Sequence, residues 1–290
     1  RTIALLERVR QQQTLDALSQ KLEQLAHEQN QITRDINRET PTEDLARREE
    51  LIARDTDQLR DELERAANQM DSPTDRELEQ LADAIAERDL VNRMDQVRRN
   101  LSAGQQQQAG VGSESISKDL NELSRQLAQI RQQFLQRQKD QIARELNSVL
   151  HDLLTLSQAQ ERTAQKADSA QNRADTIPLT LDQARTISGA SRMAERLLDA
   201  SQKTFFMPPS AGAALGNALK KMEGAAELLN SGNSNSAAKL AREAMGALNN
   251  AAMMVQRALG QLAASESGTG FEEMMQQMSQ LAQQQGNLNA

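Results

Sequence analysis

The 290 residues carry 34 basic and 41 acidic side chains, a net charge of −7, with four Phe and no Cys, Trp or Tyr. Without Cys there is neither a disulfide nor a thiol nucleophile, and an acidic chain lacking aromatic stacking platforms is a poor nucleic-acid binder. Strand-rich domains draw on aromatic and β-branched residues; this chain takes its bulk from Leu, Ala, Gln, Glu, Arg and Met, which lose little rotamer freedom in helices. The expected fold class is all-α.

An apolar share of 38% supplies a stripe along each helix and too little for a thick globular core. The composition predicts elongated antiparallel coiled-coil hairpins, a three-helix bundle among them, with a C-terminal helical hairpin. Gln-rich polar chains often stay unfolded, but regular apolar spacing argues against disorder here. Residues 1–103 hold 16 basic and 23 acidic side chains and the remainder 18 of each, so the excess charge lies in the N-terminal part. The longest uninterrupted apolar run, Ala251 to Val255, falls far short of the roughly 20 residues that cross a bilayer. The chain begins with Arg1, not Met, and reads as a processed form or a piece of a longer protein.

Residues 1–103 read as three helices folded up-down-up. In the first, Leu15, Leu18, Leu22, Leu25, Ile32 and Ile36 alternate at spacings of three and four, with Gln29 in the one polar seam position. The second carries Leu45, Ile52, Leu59, Leu63, Ala66 and Met70, and the third Leu78, Leu81, Ile85, Leu90, Met94, Val97 and Leu101. Thr40-Pro41-Thr42-Glu43 and Ser72-Pro73-Thr74-Asp75 predict hydroxyl caps followed by Pro at the first helical position. Residues 104–114, rich in Gly and Gln, read as a linker.

A long helix and its return follow over 115–203. The long stripe begins Ile116, Leu120, Leu123, Leu127, Ile130, Phe134, slips, and resumes at Ile142, Leu146, Val149 or Leu150, and Leu153, with Ala164, Ala167, Ala170 and Ala174 at its far end. Ile177-Pro178 is expected to end this helix and Thr180-Leu181-Asp182-Gln183 to cap the next. Residues 204–266 read as an Ala-rich hairpin after Phe205-Phe206-Met207-Pro208-Pro209, with Ser210 as cap and a turn at Ser231-Gly232-Asn233. Within 267–290, Gly268-Thr269-Gly270 reads as a flexible break before a short Met-rich helix.

No residue set amounts to a reaction centre, and a non-enzymatic role without metal or cofactor is expected. His27 and His151 stand alone; His27-Glu28 opens like a zincin motif, but Gln31 occupies the second His position. Acid pairs such as Glu49/Glu50, Asp61/Glu62 and Glu272/Glu273 read as solvated helix faces, with Glu50/Arg54 and Arg60/Glu64 as intrahelical ion pairs. Two clusters stand out as candidate partner contacts. Phe205, Phe206 and Met207 either plug the open end of the hairpins or anchor a partner. Phe271, Met274, Met275, Met278 and Leu281 form one sticky face that either docks on the adjacent hairpin or receives another protein, since Met adapts to varied surfaces.

The tail carries a resemblance. Leu215-Gly216-Asn217-Ala218-Leu219-Lys220-Lys221-Met222 leads through Ala225, Ala226, Ala237-Ala238, Ala244 and Ala247-Leu248 to Gly270-Phe271-Glu272-Glu273-Met274-Met275-Gln276-Gln277-Met278, Leu281 and Gln283-Gln284-Gln285-Gly286. This pattern resembles the C-terminal, Gln-rich helical half of a family of large bacterial envelope proteins, a domain of unknown function with membrane segments near the N-terminus. The resemblance implies a membrane-associated scaffold with protein partners in a larger complex, no small-molecule ligand, and no catalytic residues. A soluble spacer or sensor region of a membrane-anchored protein is the second expectation. Small-angle scattering tests the elongated form: a radius of gyration clearly above about 19 Å, the compact value for this length, is expected, and a compact value refutes it.

Overall fold

The computed structural model describes residues 3–38, 41–265 and 267–288, and these form nine helices and no strand. In chain order they are α1 (Ile3–Ile36), α2 (Thr42–Ala67), α3 (Thr74–Glu87), α4 (Leu90–Ser102), α5 (Gln106–Ser169), α6 (Arg173–Ser201), α7 (Pro209–Asn230), α8 (Ser234–Ala264) and α9 (Phe271–Leu288). The all-α expectation holds. The chain forms two compact units, residues 7–135 and residues 136–290 with 1–6, and α5 contributes to both.

In the 7–135 unit, bonded partners descend along one helix as they ascend along the next. Gln11 reaches the Gln69 carbonyl, Lys21 the Glu62 carboxylate and Gln29 that of Glu49, so α1 and α2 are antiparallel. α5 opposes α1 through Ser113 to Gln29 and Arg131 to Asp16, and opposes α4 through Arg93 to Ser115, with Arg88 just before α4 reaching Glu122. The expected three-helix bundle over 1–103 thus gains a fourth member. Ile116, Leu120, Leu123 and Leu127 of α5 enter the same core as Leu22, Leu59, Leu78 and Met94. The third expected helix is two, α3 and α4, because Asp89 takes a left-handed conformation (φ 51°) between them.

The 104–114 linker is instead helical from Gln106. Only Gly104, at φ +72°, acts as a turn. Gly110 lies against Ile36, and a Cβ on Gly112 would stand 2.7 Å from Val97 Cγ2, so these glycines allow close helix approach. The first expected hydroxyl cap, Thr40, lies outside the described residues; the second, Ser72, does not cap α3, which starts at Thr74 with Pro73 at the cap position and no side-chain cap bond.

In the other unit α5 opposes α6 through Asp152 to Arg196 and Glu145 to Lys203, and opposes α8 through Ser157 to Asn249 and Asp168 to Arg242. α7 packs on α6 and α8. The long helix, its return and the Ala-rich hairpin, expected as separate pieces, therefore share one core containing Leu146, Leu197, Leu215, Leu248 and Val255. Alanine narrows the spacing: Ala167, Ala218, Ala225, Ala238, Ala241, Ala244 and Ala251 are fully buried. α6 begins seven residues before the expected Thr180 cap. Asn172 accepts from the Asp175 N–H while Asp175 accepts from the Asn172 N–H, a capping box that starts the helix before Pro178. Pro178 is tolerated inside because the Ala174 carbonyl it leaves unbonded lies on an exposed residue. α7 opens with Pro209 at its first position, not with a Ser210 cap, whereas Asn233 caps α8 as its turn chemistry suggests.

Two glycine substitutions separate packing from propensity. Gly112→Ala should destabilise, because overpacking against the stiff Val97 side chain costs about 1–3 kcal/mol, more than the roughly 1 kcal/mol gained in helix propensity. Gly246→Ala in α8 meets nothing within 4 Å and should stabilise by up to about 1 kcal/mol. Urea melts of the two variants read both signs.

Candidate functional site

The two candidate clusters are brought together by a turn. Residues 267–270, expected to be flexible, are buried and densely bonded. The Thr269 carbonyl accepts from the Phe205 N–H at 2.8 Å and from the buried Thr204 hydroxyl at 3.2 Å. Ser267 donates its hydroxyl to Glu273 at 2.6 Å and accepts from the Gly270 N–H at 2.8 Å, which ties the turn to the first turn of α9. Lys139 of α5 donates to the Ser265 carbonyl at 2.6 Å. Glycine is required twice: a Cβ on Gly268 would meet Gln138 Oε1 at 2.7 Å, and Gly270 has φ +81° with the Phe206 ring 2.7 Å from its would-be Cβ.

The aromatic loop divides. Met207 is buried in the core with Leu215 and Leu262, and Phe206 packs partly against it, so these two do plug the bundle. Phe205 is half-buried, its ring centroid 5.9 Å from that of Phe271 at an interplanar angle of 45°. Phe205, Phe206, Ala264, Gly270, Met274 and Gln277 line an open recess of about 300 Å³. Beyond it α9 runs on with its apolar face uncovered: Met275 is 49% exposed, Met278 56% and Leu281 60%. Of the expected face, Phe271 and Met274 thus lie beside the aromatic loop, while Met275, Met278 and Leu281 stay exposed.

Three polar clusters lie inside the bundles, of which the sequence marked only Gln29, in the α1 seam. Glu49, expected on a solvated face with Glu50, is fully buried, and burial pushes its carboxyl up to about 7 against the lowering effect of the Gln29 amide. Gln29 bonds both Glu49 oxygens and Ser113. In the other unit the fully buried Gln160 and Gln183 exchange amide bonds at 3.0 and 3.2 Å, and Gln183 also donates to the Met222 carbonyl. On α5 and α1, Asn30, Ser117 and Asn121 interlock. The available signal was the gap in each stripe: α2 skips positions 49 and 56, and both Glu49 and Thr56 are buried there.

His27 and His151 are exposed, and no group of three or more His, Cys, Asp or Glu among the described residues could hold a metal ion. No described helix is long and apolar enough to cross a membrane. Comparison of the chain with protein-family models, curated proteins and solved structures finds no match.

Gly270→Ala tests the turn. It should destabilise the 136–290 unit by about 1–3 kcal/mol through strain and the clash with Phe206, and speed amide exchange at Phe205. Unchanged exchange at that amide would show that the turn does not hold the loop.

Proposed function

We propose that this chain is a non-catalytic helical scaffold that holds a protein partner by helix packing, with α9 as the segment it offers. The observation that carries this reading is the contrast across Gly270. The turn before it is buried and bonded on every side, while Met275, Met278 and Leu281 after it stay exposed on one face. Most of a helix's stability in a protein comes from packing of its apolar face, so a cover over that face adds stability the uncovered part of α9 lacks. The face suits a partner helix: Met adapts its shape to its neighbour, and Gln276, Gln277, Ser279 and Gln280 give uncharged flanks. Association with a bacterial envelope complex belongs to the same proposal and rests on the resemblance of the Gln-rich tail.

The test is the triple change Met275→Gln, Met278→Gln and Leu281→Gln, which keeps helix propensity and removes the exposed apolar atoms. The variant should melt like the wild type and lose any protein that co-purifies with it stoichiometrically at native abundance. Unchanged partners refute the assignment of α9, and a lowered melting temperature shows the face to be packed within the chain.

A further inference from the structure

We infer that Glu49, with Gln29 and Ser113, forms a pH-sensitive latch between α1, α2 and α5, closed while the Glu49 carboxyl holds its proton and weakened when that proton passes to water. The latch is independent of the proposed partner site. Its geometry is a buried polar layer in a largely aliphatic core. Gln29 Nε2 lies 3.2 and 3.1 Å from the two Glu49 oxygens and 3.0 Å from Ser113 Oγ; Ser113 is 2.7 Å from Thr33 Oγ1, which donates to the Gln29 carbonyl at 2.9 Å. Glu49, Gln29 and Ser113 have no solvent exposure.

An ionised carboxylate offers about four lone-pair sites, yet a single amide group serves this one. Among the described residues no cation pairs with it. On α2 itself Arg48 pairs with Asp35 and Arg54 with Glu50; on α1 His27 bonds Gln31 and Arg34 the Asn30 carbonyl. On α5 Lys118 pairs with Glu114 and Asp119 takes Arg88 and Arg93; on α4 Arg98 pairs with Asp95 and Arg99 bonds Gln96. The buried residues of α3 are all uncharged. A charge at Glu49 is therefore buried with only the Gln29 amide to offset it.

The neutral acid fits better. It gains an O–H donor, and Gln29 Oε1 is a buried acceptor without a partner. A half-turn of the Gln29 amide brings that oxygen to the position facing Glu49, whose acid O–H can then donate to it. The amide thus matches either state of the carboxyl: nitrogen toward the carboxylate, oxygen toward the acid.

The sign follows from linkage. A free glutamate titrates at 4.5 and the packed Glu49 at about 7, so between these values the folded state binds the extra proton. Stability then falls as pH rises through that window and levels off on either side, by a factor of at most roughly 300 in the unfolding constant.

The experiment measures urea unfolding of the full chain from pH 4.5 to above 7, for wild type and for Glu49→Gln, whose amide can replace the acid as donor to Gln29. The ratio of wild-type to variant unfolding constants should climb with pH across the window, because the other carboxylates cancel. A flat ratio overturns the latch. A second measurement does not need the variant to fold. In wild type labelled with 13C at glutamate carboxyls, one resonance should titrate near 7; if every glutamate titrates in the ordinary range, the latch is refuted.

Discussion

The structure depends on one constraint: a chain with four Phe and no other aromatic residue must gain its cohesion from aliphatic stripes, and a single stripe is covered only when several helices close around it. Each fully buried Leu or Ile removes apolar surface worth roughly 1.5–3 kcal/mol. Two helices would leave the sides of such stripes wet. Four antiparallel lines enclose them in each unit, and the first half of α5 is drawn into the 7–135 core for that reason. The second half takes the same part with α6, α7 and α8.

That double duty is written into α5. Its buried positions step by alternating threes and fours from Ile116 to Phe134, then by fours through Gln138, Ile142 and Leu146. A step of four overshoots the 3.6-residue turn, so the regular heptad seam is interrupted there. Phe134 closes one core and Ile142 opens the other. The interruption is visible in the sequence as a slipped stripe, and it falls where the two units divide. Gln138, buried at the step, faces Gly268 of the turn that carries α9.

Much of the helical reading was legible because apolar spacing is a direct image of burial. The α1 seam from Leu15 to Ile36 is buried as spaced, and the turn at Ser231-Gly232-Asn233 stands where its residues put it. What failed to read was residue chemistry with two uses. Gly110 and Gly112 look like linker residues, yet in a helix the missing Cβ admits a neighbour. Pro178 looks like a stop, yet the Asn172–Asp175 box had already started the helix upstream. Ser267 to Gly270 looked loose because composition cannot report that Thr204, Phe205 and Gln138 surround it. The candidate site was half legible: Phe271 and the methionines were visible as a face, but the turn that holds them to the bundle was not.

Aliphatic cores have a further consequence. Leu, Ile and Ala fill space without direction, so one helix can slide along another by a heptad at little loss. Directional bonds remove that freedom, and each unit places them inside its core: Gln29, Glu49 and Ser113 in one, Gln160 with Gln183 in the other. A slip of either helix strands buried amides without partners, which costs about 1–3 kcal/mol for each group left unpaired. Gln29 and Glu49 lie at similar distances on either side of the turn between α1 and α2, so their meeting fixes that hairpin's register. One of the residues that set alignment, Glu49, is also one whose charge state can change. Where most exposed surface is solvated helix face, the polar layer inside the bundle and the apolar face of α9 are places where the pattern is inverted. Inversion of the pattern is where a helical bundle can do more than hold its own shape.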